Sequence, residues 1–161
     1  MEIVFKPIGI VHSPFKRKED AKKARCIDPK GFDSVQGELE IFPEFSEGLK
    51  DIDGFSHIIL IFAFHKAEGH RLYAHPPFDG QQRGVFSTRS PSRPNSIGVT
   101  VLTLLKRKGN VLRVSGVDMI EGTPILDIKP YTPKEQKPGA KFGWLGQWVT
   151  PPQNLETKTK K

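Results

Sequence analysis

One cysteine, Cys26, in 161 residues excludes an internal disulfide and any Cys-rich zinc site. Long apolar runs are missing as well. The longest, "IILIFAF" at 58–64, falls far short of the roughly 20 residues a helical membrane span requires. The opening "MEIVFKPIGIVHSPF" has no basic stretch followed by a long apolar one, so no signal peptide is expected and the chain reads as soluble and cytoplasmic. Four familiar signatures are also absent: G-x-G-x-x-G after a strand, the Walker loop, G-x-S-x-G and H-E-x-x-H. A nucleotide-like cofactor would therefore have to bind outside the Rossmann plan. Four histidines (57, 65, 70 and 75) are spaced too irregularly to define a metal site, and no metal is expected.

Proline (14) and glycine (15) are plentiful, and Lys plus Arg (25) exceeds Asp plus Glu (18), for a net charge of +7. The first pair favours short strands joined by turns over long helices. The second suits a partner with phosphate charges. Apolar periodicity is mostly two. Strands are predicted at 2–12, interrupted at Lys6-Pro7, and at 36–42, 56–65, 83–89, 96–106, 110–119 and 124–131. The continuous run at 56–65 predicts a central strand covered on both faces. Segment 44–52 offers a helical turn or two, and 17–25 is too charged to nucleate a helix alone. The fold class is thus all-β with minor helix: one small barrel of short, mostly antiparallel strands, which also removes free sheet edges. The barrel domain is expected over 1–135, with 136–161 as a surface arm or Lys-rich tail.

Four groups of residues carry chemistry, all at strand ends or in loops. "HSPFK" (12–16) leads into 16–25, where six of ten residues are Lys or Arg. His65-Lys66 ends the most apolar strand, where a barrel mouth would meet a ligand. In "FSTRSPSRPNSIG" (86–98), Pro91 and Pro94 fix φ and push Ser90 and Arg93 into extended conformations. Such a loop loses little entropy on binding, and Arg89 and Arg93 each offer a planar fork to a carboxylate or phosphate. Asn95 can donate and accept. In "DMIEGTPILDIKPY" (118–131), Asp118, Glu121, Asp127 and Tyr131 are candidate acid/base or hydrogen-bonding groups.

Taken together, "GVFSTRSPSRPNSIG", "DMIEGTPILDIKPY", "IGIVHSPFK" and "GFSHIILIFAFHK" resemble the TsaA-like (TrmO) family over roughly residues 5 to 133. The resemblance implies a small β-barrel that dimerises, binds S-adenosylmethionine and methylates N6 of threonylcarbamoyladenosine at position 37 of tRNA, beside the anticodon. It also implies cofactor contacts at Pro14, Phe15 and Lys16, at His65 and Lys66, at Arg89, near Leu102, and at the turn Glu121, Gly122, Thr123 and Pro124. Contacts to the tRNA anticodon loop are expected from Lys18, Lys22, Lys23 and Arg25, with 106–108 and the Lys-rich end as further sources. His65 is the first candidate for the catalytic base, because an imidazole titrates near neutrality; Glu121 and Tyr131 stand behind it. Arg93, with Asn95, is the candidate grip on the substrate's threonyl carboxylate. Trp144 and Trp148 are aromatics that could stack on bases. Two other readings share these motifs: a barrel that binds cofactor or RNA without methyl transfer, and a methyltransferase for another acceptor.

Overall fold

The computed structural model describes residues 1–21, 31–77 and 79–149. Lys22, Lys23 and Arg25 lie outside the described residues. Alternation works in "QGELEI" as period two dictates: in β2 (Gln36–Ile41) Leu39 and Ile41 are buried, while Glu38 and Glu40 stay at the surface. The same rule builds β1 (Gly9–His12), β3 (His57–Ala63), β6 (Ile97–Lys108), β7 (Val111–Ser115) and β8 (Thr123–Pro130). These five and β2 close into a barrel in the order β1–β2–β7–β6–β3–β8, every pair antiparallel. A separate two-stranded ribbon is formed by β4 (Tyr73–Ala74) and β5 (Arg83–Gly84). Inward residues of all six barrel strands, among them Val11, Leu39, Ile58, Leu60, Leu102, Leu112 and Ile125, form one core without solvent exposure.

Three expectations change. The first strand begins only at Gly9, because Pro7 has no N–H to give a ladder; residues 1–7 are exposed. The strand at 83–89 stops after Gly84, and Val85–Ser87 turns as a 3-10 helix that buries Val85. β3 is covered on one face only. Ile58, Leu60 and Phe62 point into the core, while Ile59 and Ile61 are half-buried outside. Among the described residues β3 packs chiefly on its neighbours β6 and β8, so the continuous apolar run encodes an apolar outer face. Segment 44–52 appears as a 3-10 helix at Pro43–Leu49, and 18–21 is helical.

Two compact units are distinguished, Met1–Tyr131 and Thr132–Lys161. The described part of the second has 3-10 turns at Pro133–Glu135 and Gly143–Gln147. Thr132 and Glu135 cap the first reciprocally, a standard way to satisfy orphan N–H groups.

Two local features shape one end of the barrel. Gly98 is paired across the sheet with Phe62. A Cβ at position 98 would lie 2.3 Å from Cζ of that ring, so only glycine lets the ring lie flat over β6. Phe62 cannot simply swing away, since it is buried and packs edge-on to Phe64 with centroids 5.1 Å apart.

The second feature is a charged clamp between the loop after β1 and the turn before β8. One carboxylate oxygen of Glu121 accepts from His12 Nδ1 at 2.9 Å, and the other accepts from the Ser13 N–H at 2.6 Å. His12 Nε2 donates to Glu40 at 2.6 Å. Both ring nitrogens donate, so the geometry calls for the imidazolium. Glu40, then Glu121, raises the His12 pKa above its usual value. Burial works to raise Glu121, but the hydrogen bonds from His12 and Ser13, with Lys16 nearby, outweigh it and hold that carboxyl below its usual range. Backbone bonds from Glu121 N to Phe15 O (2.7 Å) and Gly122 N to Val11 O (2.9 Å) complete the tie.

Overpacking of this kind costs about 1–3 kcal/mol. Gly98→Ala should therefore lower Tm by about 3–10 °C, and Phe62→Leu in the same chain should recover part of the loss; strictly additive losses in calorimetry would show that the ring is not the obstacle. The clamp gives a pH signature. The His12 contribution is complete below the ordinary imidazole value of 6.5 and is lost as pH rises through the elevated folded value. The Glu121 contribution is complete above the ordinary carboxylate value of 4.5 and is lost as pH falls through the depressed folded value. The clamp is thus strongest between those two values. Its side chains are about a third exposed, which discounts the pair to about 1 kcal/mol. The Tm gap between the native chain and His12→Gln should be about 2–4 °C at pH 6 and shrink toward pH 9; a gap that does not vary with pH would rule out the charged form.

Candidate active site

Where β3 ends and β6 begins, the barrel opens into a cleft of about 890 Å³. Pairing of Phe62 with Gly98 and of Ala63 with Ile97, extended by Phe64 N to Ser96 O at 2.8 Å, sets the strand ends side by side. Three stretches therefore meet: Phe64, His65 and Lys66 after β3; Thr88, Arg89, Pro91 and Arg93 of the proline loop; and Ile97–Thr100 of β6. Asp118, Met119, Ile120 and Thr123, from the clamped turn, line the cleft as well, with Lys18, Ala21 and Phe32.

The proline loop is folded upon its own arginines. Arg93 Nη1 donates to Thr88 O at 2.9 Å and to Ser90 O at 3.3 Å, and Arg89 Nη1 donates to Val99 O at 3.1 Å. Thr88 Oγ1 donates to Val85 O and accepts from Ser90 N. Each guanidinium bonds backbone carbonyls through one terminal nitrogen, and its other N–H donors lie in the same plane. The loop is thus ordered before anything binds.

His65 sits beside two ammonium groups. Burial, then the charges of Lys66 and Lys18, lowers its pKa, opposed in part by hydrogen bonding to the Ala63 backbone. It is therefore a neutral imidazole at neutral pH, the form that accepts a proton. Lys18 Nζ donates to Lys66 O at 2.6 Å, which ties Lys18 to the cleft rim.

The sequence candidates divide accordingly. His65, Lys66, Arg89, Arg93, Thr123 and Lys18 line the cleft. Phe15 is buried behind it, edge-on to Phe32 at 5.9 Å. Pro14 and Lys16 are exposed at the clamp; the Glu121 carboxylate is spent in the clamp, and Gly122 makes its turn at φ +76°. Pro124 follows Thr123 on β8, opposite Ile10. None of Pro14, Phe15, Lys16, Glu121, Gly122 and Pro124 is part of the cleft lining itself, and three further candidates stand away from both the lining and the clamp. Leu102 has no solvent exposure and faces the barrel core, so Ile97–Thr100 is the part of that strand that serves the site. Asn95 is exposed outside the lining. Tyr131 follows the far end of β8, about 25 Å along the strand from Thr123, with its ring 5.9 Å from His57. Of the three candidates for the catalytic base, His65, Glu121 and Tyr131, only His65 lines the cleft; of the other acid/base candidates, Asp118 lines it and Asp127 does not. Sequence reasoning passed over the aromatic wall of Phe32, Phe62 and Phe64, and Thr88, Val99, Thr100 and Met119. The glycine closing the "RPNSIG" run was the available signal, since a glycine inside a strand marks close approach by a neighbour.

The family described as the tRNA-methyltransferase O N-terminal domain matches residues 10–136. A Pyrococcus abyssi protein named a probable S-adenosyl-L-methionine-binding protein is 49% identical over 144 residues, covering 89% of this chain and 76% of that protein. The tRNA (adenine(37)-N6)-methyltransferase of Rattus norvegicus is 38% identical over 162 residues, covering 98% of this chain but 34% of that enzyme. A crystal structure of TrmO superimposes with a TM-score of 0.72 at 34% identity, over 94% of this chain and 66% of that one. The chain thus spans about a third of the rat enzyme and about two-thirds of the crystallised TrmO. With the match running from β1 past β8 and through every cleft-lining segment of both loops, the chain belongs to the tRNA-methyltransferase O N-terminal domain family.

Proposed function

We propose that this protein transfers a methyl group from S-adenosylmethionine to N6 of an adenosine in tRNA, with threonylcarbamoyladenosine at position 37 of the anticodon loop as the acceptor. The observation that carries the reading is the convergence of His65, Lys66, Arg89, Arg93 and Lys18 on one cleft in a chain of this family. The cleft fits the cofactor: its volume lies in the range of small-molecule sites, and it joins an aromatic wall to a few polar groups. When bound, S-adenosylmethionine supplies an electrophilic methyl group on a sulfonium. Arg89, Lys66 and the Ile120–Thr123 turn are the groups that would hold it. The clamped rim of Pro14, Phe15, Lys16, Glu121, Gly122 and Pro124 fixes where that turn stands.

His65 is the group that takes the proton from N6, because its imidazole is held in the basic form. The free edge of Arg93 grips the threonyl carboxylate, which accounts for a preference for the modified base over plain adenosine. Lys18 and its basic neighbours contribute backbone affinity that falls with salt. On the barrel wall Ile59 pairs with Val101 and Ile61 with Val99, and both valines are exposed. That apolar ribbon is the surface through which two copies would form a homodimer. An acceptor of this kind would place the protein in the cytoplasm; among the described residues no helix is long and apolar enough to cross a membrane.

Tritiated-methyl transfer to tRNA with and without threonylcarbamoyladenosine is the deciding assay. Label in the modified tRNA alone is expected; label in neither, with cofactor bound, would remove the acceptor or the catalysis. Arg93→Ala should lower kcat/KM by about 10–100-fold while the Kd for S-adenosylmethionine changes less than about twofold. Equal losses in both would abolish the division of labour between the two arginines.

A further inference from the structure

Charge is distributed unevenly around the cleft. Lys18, Lys66, Arg89 and Arg93 contribute four positive groups to its lining, and Asp118 is the single carboxylate among the described lining residues. Such a site receives anions readily and cations poorly. The cofactor of the proposed reaction carries one carboxylate, one ammonium and one sulfonium. Its carboxylate has several partners to choose from, but its sulfonium has few. A sulfonium has no N–H and is wrapped in carbon, so it is satisfied by a nearby negative charge and by aromatic faces rather than by hydrogen bonds. Asp118 sits next to Met119, on the same turn as Ile120, and the lining also contains Phe32, Phe62 and Phe64. That combination of one carboxylate and three rings suits a carbon-bound cation.

We infer that Asp118 is a positioning residue that holds the sulfonium end of S-adenosylmethionine toward its own turn, away from the arginines of the proline loop. The inference rests on the reading that this cleft takes S-adenosylmethionine. It gives the cofactor a polarity: the cationic centre lies toward the Asp118 turn and the carboxylates of cofactor and substrate lie toward Arg89 and Arg93. It also gives a means of product release. Methyl transfer converts the sulfonium to a neutral thioether, and the attraction to Asp118 is then lost.

The test is a ratio of two affinities measured on the full chain by calorimetry, for S-adenosylmethionine and for S-adenosylhomocysteine. The two ligands share ammonium, carboxylate and adenosine and differ in the sulfur's methyl group and the positive charge that comes with it. Asp118→Asn should weaken S-adenosylmethionine by about tenfold and S-adenosylhomocysteine by less than about twofold, while Asp118→Glu should retain the native ratio. An unchanged ratio overturns the inference, whether both affinities fall together, as they would for a carboxylate facing the ammonium or serving the fold, or neither moves. If Asp118→Asn does not fold, Asp118→Ser answers the same question. Native protein that binds neither ligand removes the cofactor reading itself, and this inference with it.

Discussion

The ring of Phe62 lying over Gly98 fixes the register of β3 against β6, and the cleft is a consequence of that register. Because the two strands are antiparallel, the last residues of one stand beside the first residues of the other. The turn that follows β3 carries His65 and Lys66; the loop that precedes β6 carries Arg89 and Arg93. Nothing in their sequence separation requires these segments to meet. A slip of one residue would reverse which face of β6 carries Ile97 and Val99. Steric fit at one apolar cross-strand pair thus decides which polar groups share the site.

A second constraint acts from the opposite wall. The His12–Glu121–Ser13 clamp ties the turn before β8 to the loop after β1. Its charges are consumed internally, and this separates it from the cleft. Glu121 has a donor on each oxygen and ties two backbone segments, whereas His65 is kept uncharged by burial and by its lysine neighbours. Two histidines on one barrel end are driven to opposite protonation states by their surroundings. Only the neutral one faces the cleft.

Much of this was legible in the sequence because it rests on local rules. Period-two patterning, with the continuous apolar run at 56–65, located all six barrel strands, and the density of proline and arginine in 86–98 marked the loop. What could not be read depended on distance along or across the barrel. Tyr131 shares a motif with Glu121 and Thr123, yet β8 carries it to the far end. Leu102 lies on the right strand but points inward, a matter of parity that patterning suggests and only the register settles. The apolar run of β3 looked like a strand buried on both faces, since composition cannot distinguish a second covered face from an apolar surface left open.

Each arginine of the proline loop both nails the loop shut and offers an arm beyond it, and one side chain manages both because a guanidinium has several donors set at fixed angles. Arg93 anchors Thr88 and Ser90 through Nη1 alone. A lysine in its place would have a single nitrogen, free to rotate, and would have to choose between holding the loop and reaching a ligand. A change that preserves charge at these two positions would therefore still alter how the loop holds itself together.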